Sequence, residues 1–175
     1  MKELKSEKGT LISTLTILPK VEQTQLIKDF NATELAYPSE KTIVDLFEEQ
    51  AQKSPNATAV AYEGEALSYQ ELDERSNQLA HYLQEQGVTT DTFVGICIGR
   101  SLEMLVGILG ILKSGGAYVP IDPEYPQDRV NYMLADANIN LVLSNVSSNR
   151  ILSDIEGLTT VTLDEEWTRI AEHSK

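Results

Sequence analysis

The chain has 175 residues, 41% of them hydrophobic and 23% charged, with 27 acidic side chains against 14 Lys and Arg. That is enough chain for one domain with a real core, since a chain of this size buries roughly 70% of its unfolded surface. The net charge of −13 excludes nucleic acid and an anionic membrane as main partners, because both are polyanions.

The opening stretch, "MKELKSEKGTLISTLTILPK", has early lysines and an apolar run from Leu11 to Leu18. Ser13, Thr14 and Thr16 break the run, Glu3 and Glu7 offset the lysines, and no small-x-small cleavage site follows. It does not read as a signal peptide. No run reaches the ~18 apolar residues of a membrane span, which leaves the cytoplasm as the expected compartment. "PKVEQTQLIKDFN" predicts a short helix, with Pro19 in its first turn and Leu26, Ile27 and Phe30 on one face. "ATELAYPSE" should then run extended, because the residue before Pro38 is pushed out of the helical region. Residues 1–39 thus read as a linker and 40–175 as the domain it enters.

From Ser39 the periodicity strengthens. Ser39 is the expected cap of a helix carrying Ile43, Leu46 and Phe47 on one face. "TAVAYEGEALSY" predicts a hairpin turning at Glu63–Gly64. Ser68 and Glu71 have the spacing of a capping box. The helix they open carries Leu72, Ser76, Leu79, Ala80 and Leu83 on one stripe, and Gly87 ends it. "FVGICI" is a continuous apolar run, the mark of a strand covered on both faces, and it makes Cys97 a buried, inert thiol. As the lone cysteine, Cys97 forms no internal disulfide. Ser101 caps the next predicted helix, "LEMLVGILGILKSG", which is apolar nearly all round and should lie between layers.

"AYVPI" is a further strand, read like "FVGICI" as covered on both faces. Pro126 opens a helix with Val130, Met133, Leu134 and Ala137 aligned, which Asn138 closes. "INLVLS" and "LTTVTL" are strands, with a short turn or helix at "SSNRILSDI" between them. Asp164 is the expected cap of a last helix bearing Trp167, Ile170 and Ala171. Strands alternating with helices predict an α/β fold, a largely parallel sheet with helices on both faces. Its apolar elements need cover from two layers, and so short a chain is expected to leave some of it bare.

Little here points to chemistry. Gly107, Gly110, Gly115 and Gly116 bracket a helix rather than precede one, whereas a phosphate cradle needs its glycines at a strand-to-helix turn. Neither G-x-x-x-x-G-K-[ST] nor G-x-G-x-x-G occurs. Gly95 and Gly99 flank strand residues, and packing explains them. Within "ILKSGGAYVPIDPEYPQDR", Gly115 or Gly116 supplies a positive φ after the helix, and Asp122–Pro123 starts a rigid turn. Asp122, Glu124 and Asp128 form a nominal carboxylate cluster for acid–base work or a divalent cation, yet turn and cap roles account for each. Arg100 and Arg129 are nominal phosphate grips, but both read better as solvated or ion-paired helix-end arginines. His81 and His173 lie on helical segments with no cysteine or second histidine beside them, and read as surface residues rather than metal ligands.

The residues carry a family likeness all the same. "ILKSGGAYVPIDPEYPQDR" closely resembles the second core motif of the adenylation domains of non-ribosomal peptide synthetases. "LSYQELDERSNQLAHYLQEQGV" is similar to their first core motif, "VGICIGRSLEMLVGILG" to the segment between, and the front to the linker that enters such a domain, often after a condensation domain. The resemblance implies the N-terminal part of the domain's large subdomain. It implies ATP with magnesium, an amino-acid substrate, an aminoacyl adenylate, and transfer to the phosphopantetheine of a carrier domain. The family's phosphate loop, nucleotide contacts, specificity pocket and late catalytic lysine would all lie downstream. The domain is therefore expected to be incomplete at its C-terminus, and no catalytic, cofactor-binding or metal-binding residue carries over to a position here. An acyl-CoA ligase fragment and a non-catalytic half-domain acting as an interaction module are the rival readings.

Overall fold

The computed structural model describes residues 18–153 and 155–175. The apolar run weighed above as a leader falls, but for Leu18, outside them. The chain divides after Ser39 into two units. In the first, α1 (Lys20–Thr24) starts after Pro19 and passes into a π-helical turn, Gln25–Asp29. Asn31 closes that turn by donating its side-chain amide to the carbonyls of Leu26 (3.0 Å) and Ile27 (2.9 Å). Every described residue of this unit is exposed, Leu26, Ile27 and Phe30 included.

The second unit opens with α2 (Ile43–Lys53), capped by Thr42 rather than by the expected Ser39. The reason is local. Thr42 has Asp45 three residues on, and the two close a capping box: Asp45 N–H donates to Thr42 Oγ1 (3.2 Å) and Thr42 N–H to the Asp45 carboxylate (2.7 Å). Ser39 has no carboxylate at that spacing. Strands β1 (Thr58–Tyr62) and β2 (Glu65–Ser68) pair antiparallel. Glu63 and Gly64 join them with φ of +49° and +90°, the double left-handed turn that matches strand twist.

Helix α3 (Tyr69–Glu85) starts at the predicted Ser68–Glu71 box and buries its whole predicted stripe. The main sheet follows: β3 (Phe93–Cys97), α4 (Leu102–Lys113), β4 (Ala117–Pro120), α5 (Gln127–Asp136), β5 (Leu141–Ser144), β6 (Thr159–Thr162) and α6 (Leu163–Ile170). Strand order is β4-β3-β5-β6, and every pairing is parallel. The sheet has helices on both faces. Val94, Ile96, Leu141, Leu143 and Val161 join one core with α3, α4 and α6, while Cys97 and Val142 join another with α5 through Val130 and Leu134.

Helices α3 and α4 approach closely because Gly110 has no side chain. A Cβ there would lie 2.6 Å from Leu79 Cδ2. At the end of α4, Gly115 takes φ +93°, the left-handed turn foreseen for one of the glycine pair.

Two further sequence expectations fail. β4 is an edge strand, not one covered on both faces: its residues alternate between half-buried and exposed, with Tyr118 and Pro120 bare. An edge is where a proline, lacking an N–H, can sit. Asp164 does not cap α6. Thr162 holds the N-cap position without a side-chain cap hydrogen bond, because the helix begins immediately after β6 and Leu163 is buried. The Asp164 carboxylate instead accepts from the Val146 N–H at 3.1 Å.

Candidate functional site

The chain leaves β3 into α4 on one face and leaves β5 through Ile151 and Leu152 on the other, the face of α5. Adjacent strands β3 and β5 therefore send their continuations to opposite sides, and a crevice opens outside their carboxyl ends. In open α/β sheets this is where ligands bind. Here it encloses about 680 Å³, between Ile98–Arg100, Pro120–Tyr125 and Ser147–Ser148. A groove of similar size, about 690 Å³, lies at the amino ends around Gly87–Val88 and Asn138–Asn140. We place the candidate site at the carboxyl ends, on the topology of the sheet.

Most polar groups around the crevice serve the loops themselves. Asp122 Oδ1 accepts from the Glu124 N–H at 2.9 Å, and its carbonyl from the Tyr125 N–H at 3.0 Å. Asn145 Oδ1 accepts from the Ser148 N–H and the Ser147 hydroxyl, both at 3.0 Å. Ser101 Oγ accepts the Met104 N–H at 3.2 Å, satisfying a donor at the start of α4. Arg129 stacks on the Tyr125 ring, its guanidinium carbon 3.9 Å from the centroid.

Asp122, Glu124 and Asp128 are all exposed, and among the described residues no three His, Cys, Asp or Glu side chains gather as a metal site would require. Cys97 is fully buried. Burial first, and the Asp122 charge second, push its thiol up to about 11, so it is no nucleophile. The crevice thus offers one exposed cation, Arg100, against the carboxylates of Asp122 and Glu124. These residues do not fit a triphosphate, which needs several converging donors or cations.

The histidines part company. His81 is exposed as expected, but His173 is not a free surface residue. Its Nε2 lies 3.1 Å from Glu85 Oε2, with its side chain 15% exposed. Sequence reading also passed over Lys113, whose side chain is only 4% exposed. Its ammonium donates to Asp73 Oδ1 (2.5 Å) and Asn77 Oδ1 (2.6 Å), and stands 5.4 Å from the Phe47 ring centroid. The signal was available: a single lysine in the last turn of a helix otherwise too apolar to face water.

The family model described as AMP-binding enzyme matches residues 47–174. The chain belongs to this family. Its sequence is 52% identical over 155 residues to tyrocidine synthase 3 of Brevibacillus parabrevis, covering 89% of this chain and 2% of that protein. Among solved structures, the nonribosomal peptide synthetase FmoA3 bound to α-methyl-L-serine-AMP superposes with a TM-score of 0.72 at 32% identity, over 78% of this chain and 15% of that one. The N-terminal subdomain of NpsA from Klebsiella oxytoca, in complex with anthranilyl-AMSN, matches at TM-score 0.62 and 23% identity, over 77% of this chain and 33% of that one. That last likeness concerns the fold alone. The chain spans 2–5% of the length of the synthetases it matches.

Proposed function

We infer that these residues are the scaffold-forming first part of an adenylation domain that activates an amino acid with ATP, releases pyrophosphate and passes the aminoacyl group to the phosphopantetheine thiol of a carrier domain. The observation that carries the reading is the match to a synthetase structure holding an aminoacyl adenylate, over 78% of this chain at 32% identity. Residues 40–175 are the domain's opening portion and 1–39 the linker into it, with a condensation domain and a carrier domain as neighbours in a cytoplasmic assembly. Magnesium belongs to the complete domain, where it offsets charge on the phosphates.

The chain's own contribution is structural. It supplies four parallel strands whose carboxyl ends open toward the crevice, and two cores that hold them. The crevice has too few donors for a triphosphate, so the groups that stabilise charge during adenylation come from outside residues 1–175. This chain alone will not exchange pyrophosphate with ATP for any amino acid. Mixed with the remaining portion of a synthetase adenylation domain as a separate chain, it restores exchange. Exchange by these 175 residues above a protein-free blank would overturn the reading.

A further inference from the structure

The segment after β6 is held on α3 by polar groups as well as by its apolar foot. Leu163 and Ile170 are buried in the core shared with α3. Beyond them, Gln78 on α3, itself 6% exposed, donates its side-chain amide to the carbonyls of Ala171 (2.8 Å) and His173 (3.4 Å). Tyr82 on α3 gives its hydroxyl to Glu166 at 3.3 Å and meets the His173 ring edge-on at 5.6 Å. Arg169 stands over the same tyrosine, and Lys175 pairs with Glu74 at 2.8 Å.

The two nitrogens of His173 decide what this contact responds to. Nδ1 lies 3.1 Å from the Ile170 carbonyl oxygen, and Nε2 lies 3.1 Å from Glu85 Oε2. Both neighbours are acceptors. A neutral imidazole has one N–H and one lone pair, so it satisfies one acceptor and turns a lone pair on the other. The imidazolium, a donor at both nitrogens, satisfies both. We propose that Ala171–Lys175 is a pH-sensitive clasp on α3, closed when His173 carries two protons and loosened when it loses one. The hydrogen bond to Glu85 raises the His173 pKa, aided by the Ile170 and Arg169 carbonyls and the Glu85 charge, while burial pulls the other way. A raised folded-state value means that the stabilisation is fully present below the ordinary histidine range and is lost as pH rises through the folded value. The charged and titratable groups around the clasp are Glu74, Tyr82 and Glu85 from α3, Glu166 and Arg169 from α6, and Glu172 and Lys175 from the segment itself.

The inference stands on this chain whatever the parent domain catalyses, and the 175-residue protein tests it. Proton NMR follows the His173 ring through its titration, while the Gln78 side-chain amide reports whether the tail is docked. The Gln78 resonances should shift with the His173 midpoint. Amide protection at Ala171 and His173 should fall on the order of two- to fivefold from pH 6 to pH 8, the scale of a partly exposed ion pair. Glu85→Gln, at a side chain 69% exposed, leaves the fold intact and should lower the midpoint. A midpoint unchanged in E85Q, or Gln78 resonances that ignore the His173 titration, would overturn the proposal.

Discussion

Gly110 is the position where a single methyl group should be felt most sharply. A Cβ there would stand 2.6, 2.7 and 3.0 Å from Cδ2, Cγ and Cβ of Leu79. Leu79 is fully buried, so it cannot swing aside, and the contact reaches its branch point and stem, not only its tip. Overpacking of this kind costs about 1–3 kcal/mol. Against it, Ala gains about 1 kcal/mol over Gly inside a helix. Gly110→Ala should therefore lose up to about 2 kcal/mol, read as a lower urea midpoint by circular dichroism and by fluorescence of Trp167, the sole tryptophan. Leu79→Ala alone should cost about 2–5 kcal/mol. In the double variant the new methyl occupies space that Leu79 vacates, so the combined loss should fall about 1–2 kcal/mol short of additive. A G110A variant more stable than the parent, or an additive double variant, would refute the close approach of α3 and α4.

Three further outcomes follow from individual groups. Asp73→Ala leaves the Lys113 ammonium buried with fewer partners and should cost about 1–3 kcal/mol, less than a fully broken buried pair because Asp73 is 28% exposed, Asn77 remains and Glu48 stands 3.7 Å away. Lys113→Met, which removes the charge itself, should be milder in the same urea melts, and the reverse order would count against the network. The capping carboxylates of Asp45 and Glu71 are held below the usual range, first by the backbone N–H of Thr42 and of Ser68. Their contribution is present above the unfolded carboxylate value and lost as pH falls through the folded value, so Glu71→Gln should flatten the fall in melting temperature between pH 5 and pH 3. Cys97 should resist iodoacetamide in the folded protein and react fully in urea, and rapid native labelling would show that β3 is more open than described here.

How far the sequence spoke for the structure depended on how local the cause was. The Ser68–Glu71 box, the Glu63–Gly64 turn and the Asp122 turn each rest on residues within a few positions of one another, and each was legible. The cap of α2 was misplaced by three residues because Ser39 and Thr42 are both good caps alone, and only Asp45 decides between them. β4 was read as fully covered because "AYVPI" is apolar, yet apolar composition does not say which strand ends up at the edge. Pro120 carried that information. The crevice was not legible, since it arises from crossovers that turn opposite ways and not from any motif. Lys113 escapes notice and His173 reads as a surface residue for a related reason: their partners lie 40 and 88 residues away in sequence.

That distance also explains why two stretches of this chain carry the family likeness together. One runs from Leu67 to Val88, the other from Ile111 to Arg129, and they meet in space. Lys113 of the second is held by Asp73 and Asn77 of the first. A Cβ at Gly116 would stand 3.0 Å from Val88 Cγ1 and 3.1 Å from the Thr92 carbonyl oxygen, so a side chain there would make its neighbours, the end of the first stretch included, give way. Leu79, in the middle of the first stretch, fills the notch that Gly110 leaves one residue before the second begins. The contacts described between the two stretches are packing and polar contacts with one another. Each contains the complement of the other: a buried lysine for a carboxylate and an amide, small backbone for a large side chain. A pairing of that kind fixes where α4 ends and where β4 enters the sheet, and so sets the carboxyl edge on which the crevice opens. The two motifs are then best understood as the halves of one joint, and a substitution in either should be felt first as lost stability.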